Sequence, residues 1–167
     1  MTVEEAREIL GVKVGATPDE IRAAAEFFLG PLESAVRPGE LAVSARFPIP
    51  PAGTGSAWLE LSRRHGDYAM AGCGVLVTTG PDGRIAAASA GLISVGPTPI
   101  VVDLAPAVGG SAARQADWRA AGELAAACCD PEADIHATAA YRRHLVRVLV
   151  ARAGARAVGA TAPGEAA

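Results

Sequence analysis

Alternating apolar and polar side chains predict a small set of β-strands along the chain. The clearest two cover residues 73–79 and 84–95, and the Gly-Pro-Asp-Gly segment at 80–83 between them is typical of a tight turn. Residues 41–47 and 57–62 alternate in the same way earlier in the chain. These four stretches predict a small antiparallel sheet of three to four strands.

The last third of the chain changes to apolar residues spaced three and four apart, the period of an amphipathic helix. A helix within residues 112–129 is expected to bury one stripe, comprising Trp118, Ala121, Leu124, Ala125 and Cys128. A second helix, around 141–149, is expected to turn three arginines outward, namely Arg142, Arg143 and Arg147. The predicted fold class is therefore α+β, with the sheet packed against helices. The Ala- and Gly-rich residues 155–167 are expected to form a frayed tail.

Helix-capping signals mark two short helices at the start of the chain, at residues 3–10 and 18–28. Residues 4–24 resemble the opening of a J-domain, the co-chaperone module, although the His-Pro-Asp triplet of that family occurs nowhere in the chain. We therefore expect residues 1–24 to form a separate N-terminal helical pair rather than a co-chaperone.

Charge and composition argue against several classes of function. The net charge of −3 gives no electrostatic basis for binding nucleic acid or an anionic membrane. No apolar run approaches the roughly 18 residues that a membrane helix requires, and the N-terminus lacks the pattern of a signal peptide. The sequence therefore predicts a cytoplasmic protein.

Four potential zinc ligands lie close together in the sequence, namely Cys128, Cys129, Asp134 and His136. A zinc-binding pair of thiolates normally has about two to four residues between its members, whereas these two cysteines are adjacent. Nothing in the sequence signals the orienting group or the oxyanion hole that a Cys-His nucleophile would need. We therefore predict neither a metal site nor a catalytic residue.

A charged loop follows the strand predicted at 57–62. The strand would turn Leu59 and Leu61 to the core and Trp58 and Glu60 to the other face. The loop at 63–68 then carries two arginines, a histidine and an aspartate, which suit an anionic or planar partner. The alternative is a solvated loop in which the arginines and the aspartate pair only with one another.

Residues 56–69, Ser-Ala-Trp-Leu-Glu-Leu-Ser-Arg-Arg-His-Gly-Asp-Tyr-Ala, resemble the segment that opens the C-terminal domain in the flavoprotein (medium) subunit of molybdenum hydroxylases. These enzymes include aerobic carbon monoxide dehydrogenase and the wider xanthine dehydrogenase family. Three further segments continue the resemblance in family order, namely residues 26–41, 95–99 (Val-Gly-Pro-Thr-Pro) and 129–145. The resemblance implies a C-terminal flavoprotein domain over residues 25–154.

In that family the corresponding loop lies beside the flavin ring. The resemblance therefore implies a set of cofactor-binding residues, namely Trp58, Glu60, Arg63, Arg64, Asp67 and Tyr68. Trp58 stands where relatives often have a tyrosine. Glu60 departs from the lysine of many relatives, and this reversed charge would weaken attraction to a reduced flavin or to phosphates.

The resemblance also implies a role in electron transfer from iron-sulfur clusters through FAD. The glycine-rich domain that makes most flavin contacts in the family is not found in this sequence. We therefore expect FAD only with a partner flavin-binding domain, no activity from the chain alone, and further partners in the iron-sulfur and molybdenum subunits of a hydroxylase. The alternative is a non-enzymatic protein-interaction domain that docks through the Trp58 face or the N-terminal helices.

Overall fold

A computed structural model describes residues 27–45 and 47–161 of the chain. The chain divides into two compact units, residues 1–49 and 50–167. In the first unit, strands β1 (Phe28–Gly30) and β2 (Glu33–Ser34) form a small antiparallel hairpin. The predicted helical pair and the predicted boundary at residue 24 lie almost entirely outside the described residues, and Phe28, predicted to end a helix, opens β1.

The strand predicted at 41–47 is wrong, because residues 41–45 and 47–49 form neither helix nor strand. Leu41, Val43 and Phe47, the predicted core side of this strand, are exposed by 41%, 57% and 85%. An alternating apolar and polar pattern forms a stable strand only when two conditions are met: a neighbouring strand accepts its backbone hydrogen bonds, and its apolar side chains pack against a core. Pro48 and Pro50, immediately after this stretch, further limit strand pairing because proline has no N–H.

The second unit is built on a four-stranded antiparallel sheet with its strands in chain order. The strands are β3 (Thr54–Ser62), β4 (Ala69–Thr79), β5 (Ile85–Ile93) and β6 (Ile100–Asp103). The hairpin predicted around the Gly-Pro-Asp-Gly turn is β4 and β5, and Gly83 adopts φ 74 in that turn. The predicted strand number is therefore right, but β6 supplies the fourth strand in place of residues 41–47.

One face of this sheet is the core and the other is exposed. The inner face of β4 consists of Ala71, Cys73, Val75 and Val77, none more than 1% exposed. On the opposite side, which we call the outer face, Trp58, Leu76 and Val101 are exposed by 54%, 45% and 73%.

Helices cover the inner face, which confirms the α+β class predicted from the sequence. They are α1 (Ala105–Val108), a 3-10 turn (Ala113–Gln115), α2 (Trp118–Ala127) and α3 (Ala139–Ala160). Helix α3 packs against β3 and β4, and α2 packs against α3. No helix among residues 27–45 and 47–161 combines the length and apolar character that crossing a bilayer requires.

Three glycines allow this close packing of helix on sheet and helix on helix. At Gly154 on α3 the indole of Trp118 occupies the space that a Cβ would need. A Cβ at Gly122 on α2 would meet the carbonyl of Arg147, and one at Gly55 on β3 would meet the carbonyl of Ala157. Two of these contacts bring backbone against backbone and the third brings an indole against backbone, which suits a chain with few aromatic side chains.

Two predictions for the helices require correction. Cys128 is exposed rather than part of the core, because α2 ends at Ala127 and the helical phase that would turn Cys128 inward stops there. The tail predicted to fray from residue 155 is helical as far as Ala160, because α3 buries Ala157 completely against the sheet.

The loop before α3 pairs two aspartates with two arginines. Arg142, predicted to face outward, is only 8% exposed, and its Nη2 donates to Oδ2 of Asp134 at 2.6 Å. Next to it, Nη2 of Arg143 donates to Asp130 at 3.0 Å. Oδ1 of Asp134 accepts the backbone N–H groups of His136 and Ala137. The N–H groups of Ala137 and His136, followed by the Arg142 guanidinium, hold the pKa of Asp134 at about 2, below its ordinary 3.8.

We expect Gly154→Ala to lower the free energy of unfolding by about 1–3 kcal/mol, because the added methyl group overlaps the Trp118 indole. Urea unfolding followed by circular dichroism measures this change. Gly159→Ala on the same helix is the matched control, because no atom lies within 4 Å of its added Cβ. The control should leave stability unchanged or raise it by up to about 1 kcal/mol. Equal effects of the two substitutions would contradict the packing described here.

We expect Asp134→Asn to flatten the acid limb of the stability profile. Because the folded-state pKa is about 2 and the ordinary value 3.8, Asp134 contributes stability above pH 3.8 that is lost as the pH falls through 2. The melting temperature of the unsubstituted chain should therefore fall more steeply over that window than that of the variant. Asp130→Asn, which removes an ion pair whose carboxylate is 97% exposed, is the control. A profile for Asp134→Asn as steep as that of the unsubstituted chain would refute the assignment.

Candidate functional site

The charged loop, residues 63–68, connects β3 to β4 at one end of the sheet. Asp67 organises it: Oδ2 lies 3.3 Å from Nη2 of Arg63 and 3.7 Å from Nε of Arg64. Its Oδ1 accepts the N–H of Tyr68 at 2.9 Å, and its own N–H donates to the carbonyl of Arg64 at 3.1 Å. Gly66 adopts φ 79, which lets the chain reverse between Arg64 and Asp67.

The loop therefore realises the ion pairs of the solvated-loop alternative, and it also keeps a net positive charge. One carboxylate serves two guanidinium groups, and the Arg64 side chain remains 80% exposed. A shallow depression is lined by Arg64, His65, Gly66 and Asp67. The loop therefore presents two guanidinium groups and one carboxylate at an exposed surface.

Trp58 lies on the outer face of β3, directly opposite Gly74 of β4. A Cβ at Gly74 would be 3.1 Å from Cε3 of the indole, and a Cβ at Gly72 would be 3.3 Å from Cζ2. The indole therefore rests on two glycines, which we call the glycine floor, and is 54% exposed. A flat aromatic surface supported from below in this way can stack on a planar ligand.

The remaining predicted residues lie at the two ends of this region. Glu60 is next along the outer face from Trp58, is exposed, and pairs in register with Gly72. Tyr68 is 95% exposed at the end of the charged loop. At about 3.3 Å per residue, Trp58 lies about 13 Å along β3 from Ser62, where the loop begins. The structure thus groups Trp58 with Glu60, and the arginines with Asp67, as two neighbouring patches.

The sequence analysis missed Arg142, whose Nη1 donates to the carbonyls of Met70 at 2.5 Å and Ser94 at 3.1 Å. Met70 belongs to the stem of the charged loop, so the buried guanidinium joins α3 to the site. The helical spacing in the sequence could have found it. Arg142 precedes Leu145 and Leu149 by three and seven residues, which places it on the buried face of the helix.

Two of the three cysteines, Cys73 and Cys129, are buried free thiols. Burial raises the pKa of the Cys73 thiol to about 11, and burial together with the neighbouring Cys128 does the same for Cys129. Cys129 donates to the carbonyl of Ala125, whereas Cys128 is exposed. Within the described part of the chain, no three His, Cys, Asp or Glu side chains are grouped so that they could hold a metal ion.

Comparison with known proteins places this geometry in a family. The profile of the CO dehydrogenase flavoprotein C-terminal domain matches residues 56–157. The chain is 37% identical to the carbon monoxide dehydrogenase medium chain of Afipia carboxidovorans, over 82% of this chain and 48% of that protein. It is 34% identical to the 6-hydroxypseudooxynicotine dehydrogenase complex subunit alpha of Paenarthrobacter nicotinovorans, over 80% of this chain and 45% of that protein.

Solved structures show the same relationship. A carbon monoxide dehydrogenase from Hydrogenophaga pseudoflava superposes with a TM-score of 0.72 at 32% identity, over 82% of this chain and 47% of that one. Quinoline 2-oxidoreductase from Pseudomonas putida 86 gives a TM-score of 0.71 at 26% identity, over 81% of this chain and 47% of that one.

These matches define both the family and its extent. The chain spans about half the length of the relatives it matches. The resemblance of residues 4–24 to a J-domain finds no support in the comparisons, and those residues lie outside the described part of the chain. The sequence profile, the relatives and the shared fold agree: this chain belongs to the family of CO dehydrogenase flavoprotein C-terminal domains.

Proposed function

We propose that this chain is the flavin-facing C-terminal part of a molybdenum hydroxylase flavoprotein and contributes to FAD binding only together with a separate flavin-binding domain. The observation that carries the proposal is the exposed indole of Trp58 on its glycine floor, about 13 Å along β3 from the start of a loop with net positive charge. When bound, FAD would supply the chemistry of receiving and passing on electrons. The side chains of this protein would help to bind the cofactor.

Trp58 offers a planar apolar surface, and an isoalloxazine ring is planar and apolar enough to stack on it. The glycine floor prevents the indole from tilting inward, because Gly72 and Gly74 leave it in contact with the backbone of β4. Arg63 and Arg64 add positive charge nearby, which suits phosphate groups or the anionic form of a reduced flavin. We therefore assign Trp58 to ring stacking and the charged loop to electrostatic attraction.

A partner domain is needed because, beyond the two arginines of the charged loop, the described helix N-termini offer little to the phosphates of FAD. Helix N-termini are the usual phosphate sites in proteins. Here the first turn of α2 is already capped by the carboxylate of Asp117, and that of α3 by the hydroxyl of Thr138. Glu60, beside Trp58, adds an exposed negative charge that opposes an anionic ligand. Stacking on Trp58, helped only by the exposed charge of the loop, supports weak binding at best, so we propose that the chain is inactive by itself.

The proposed assembly follows the named relatives. Because one relative is a subunit of a dehydrogenase complex, we propose that residues 25–154 act beside a flavin-binding domain and the iron-sulfur and molybdenum subunits of such a complex in the cytoplasm. A second candidate is a non-enzymatic interaction domain. The exposed apolar residues Leu76 and Val101, which share the outer face with Trp58, favour it.

We expect FAD to quench Trp58 selectively, because a stacked flavin ring quenches the fluorescence of the indole beneath it. The chain has two tryptophans, so Trp118→Phe leaves Trp58 as the only reporter. This variant should lose most of its fluorescence on titration with FAD when a flavin-binding domain is supplied, and much less without that domain. Trp58→Phe, which retains the buried Trp118, is the control and should be quenched less, because a bound flavin can reach Trp118 only by energy transfer and not by contact.

Three outcomes separate the two candidate functions. Stronger quenching of Trp58 than of Trp118, together with a bound-flavin absorption spectrum, supports the flavoprotein role. Quenching of both variants to the same extent indicates energy transfer or absorption without contact and contradicts stacking. Absence of a bound flavin spectrum both with and without the partner domain removes the redox role and favours the interaction domain.

We expect Glu60→Lys to strengthen flavin binding by up to about five-fold, because an exposed charge is worth up to about 1 kcal/mol. The gain should shrink as salt is raised, since salt screens surface charges. The affinity comes from the same fluorescence titration with the partner domain present. Glu132→Lys makes the same change in net charge at an exposed position in another loop and is the matched control. An equal gain from both substitutions would show that the position of Glu60 is irrelevant.

A further inference from the structure

We infer that Arg142 is a positioning residue for the charged loop: its buried guanidinium holds the β-bulge from which that loop leaves the sheet. The inference rests on the proposed function for its biological meaning, because the loop is the part assigned to flavin. Its structural basis is separate, and consists of three hydrogen bonds from one side chain to three different segments of the chain.

Strand β4 contains a bulge where its pairing with β3 ends. Strands β3 and β4 pair Leu61 with Ala71 and then Ser62 with Ala69, so Met70 is the extra residue at this point. A bulge leaves its extra residue outside the regular ladder and changes the direction of the strand. Nη1 of Arg142 donates to the carbonyl of Met70 at 2.5 Å and thereby satisfies a group that the bulge removes from the ladder.

The other neighbour of β4 is β5. The last registered pair of β4 and β5 is Gly72 with Ile93, and Ser94 then turns away with φ 62, a conformation unfavourable for a serine. The same Nη1 donates to the carbonyl of Ser94 at 3.1 Å. Arg142 therefore bridges β4 and the end of β5 immediately beyond their last pair.

The buried guanidinium of Arg142 also carries a positive charge. A guanidinium that is 8% exposed is costly to bury unless its charge is paired and most of its donors are used; here Nη1 and Nη2 donate, whereas the buried Nε has no partner among the described residues. Asp134 supplies that charge at 2.6 Å from Nη2, and backbone N–H groups hold its carboxylate in turn. The planar guanidinium is thus fixed at both of its terminal nitrogens, and its position fixes the position of Met70.

The consequence lies in the charged loop itself. Met70 is three residues from Asp67, the carboxylate that holds Arg63 and Arg64. The direction in which the bulge leaves the sheet therefore sets the direction in which those arginines point. In the described contacts, Arg142 donates to Met70, Ser94 and Asp134 and not to the side chains of the charged loop. We therefore assign it a positioning role and not a ligand-binding one.

The experiment compares Arg142→Met with Arg143→Met in the full chain. Two local readouts are used: hydrogen exchange of the backbone amides at 63–70, and the rate at which trypsin cleaves after Arg63 and Arg64. Loss of hydrogen bonds to a charged group should raise loop opening about ten-fold in Arg142→Met. Arg143→Met removes only contacts to Asp130 and Cys129, so we expect a change below about two-fold.

Global destabilisation requires a control of its own. Gly154→Ala weakens the core at Trp118 without touching the bulge, and loop opening in this variant should stay at the unsubstituted rate under native conditions. Arg142→Lys covers the case in which Arg142→Met fails to fold. It retains a charge but not the guanidinium that reaches three acceptors, and an intermediate rate of opening is expected.

The outcomes distinguish the two proposals. Loop opening at the unsubstituted rate in the folded Arg142 variants, or equal opening in Arg142→Met and Gly154→Ala, would overturn the positioning role. With a partner domain present, flavin affinity should fall in Arg142→Met and not in Arg143→Met. If no variant binds flavin under any condition, the proposed function fails, while exchange and cleavage still decide the role of Arg142.

Discussion

The second unit of this protein depends on how closely helix α3 approaches the sheet and helix α2. Gly154 accepts the Trp118 indole, Gly122 accepts the backbone near Arg147, and Gly55 accepts the backbone near Ala157. These contacts let one indole and closely approaching backbone fill the core of a chain whose aromatic content is 4%. Every element that carries the candidate site is attached to this packed arrangement, because β3 and β4 provide both the inner core face and the outer face.

In the candidate site the sheet fixes Trp58, whereas other residues must hold the charged loop in place. Trp58 stands on a strand and rests on the backbone at Gly72 and Gly74, so its orientation follows from the sheet itself. The charged loop lies beyond the end of the ladder, where regular hydrogen bonding no longer determines the path of the chain. Asp67 organises the loop internally, and Arg142 holds the stem from which it departs. Arg142, on a helix far from the loop in sequence, therefore affects the position of the loop.

Two pairs of aspartate and arginine lie in residues 130–143, a segment known from the sequence only by its resemblance to the family. These pairs show what the charged residues of that segment do in the structure. Asp130 pairs with Arg143 at the surface, whereas Asp134, itself 44% exposed, pairs with the buried guanidinium of Arg142. The two pairs differ in consequence, because an ion pair between exposed side chains contributes little, whereas a buried charge depends on its partner. The loop, the helix and the sheet meet at the second pair.

The sequence by itself determined the elements whose pattern is local. The Gly-Pro-Asp-Gly turn and its flanking strands, the helical stripe of Trp118, Ala121 and Ala125, and the exposed side of Trp58 all follow from periods of two and of three to four residues. Tertiary structure decided what depends on distant partners. Residues 41–45 alternate like a strand yet remain irregular, and Arg142 is buried despite its charge. The physical reason is the same in both cases: burial and hydrogen bonding require a partner from elsewhere in the chain, and only the folded structure determines whether that partner is present.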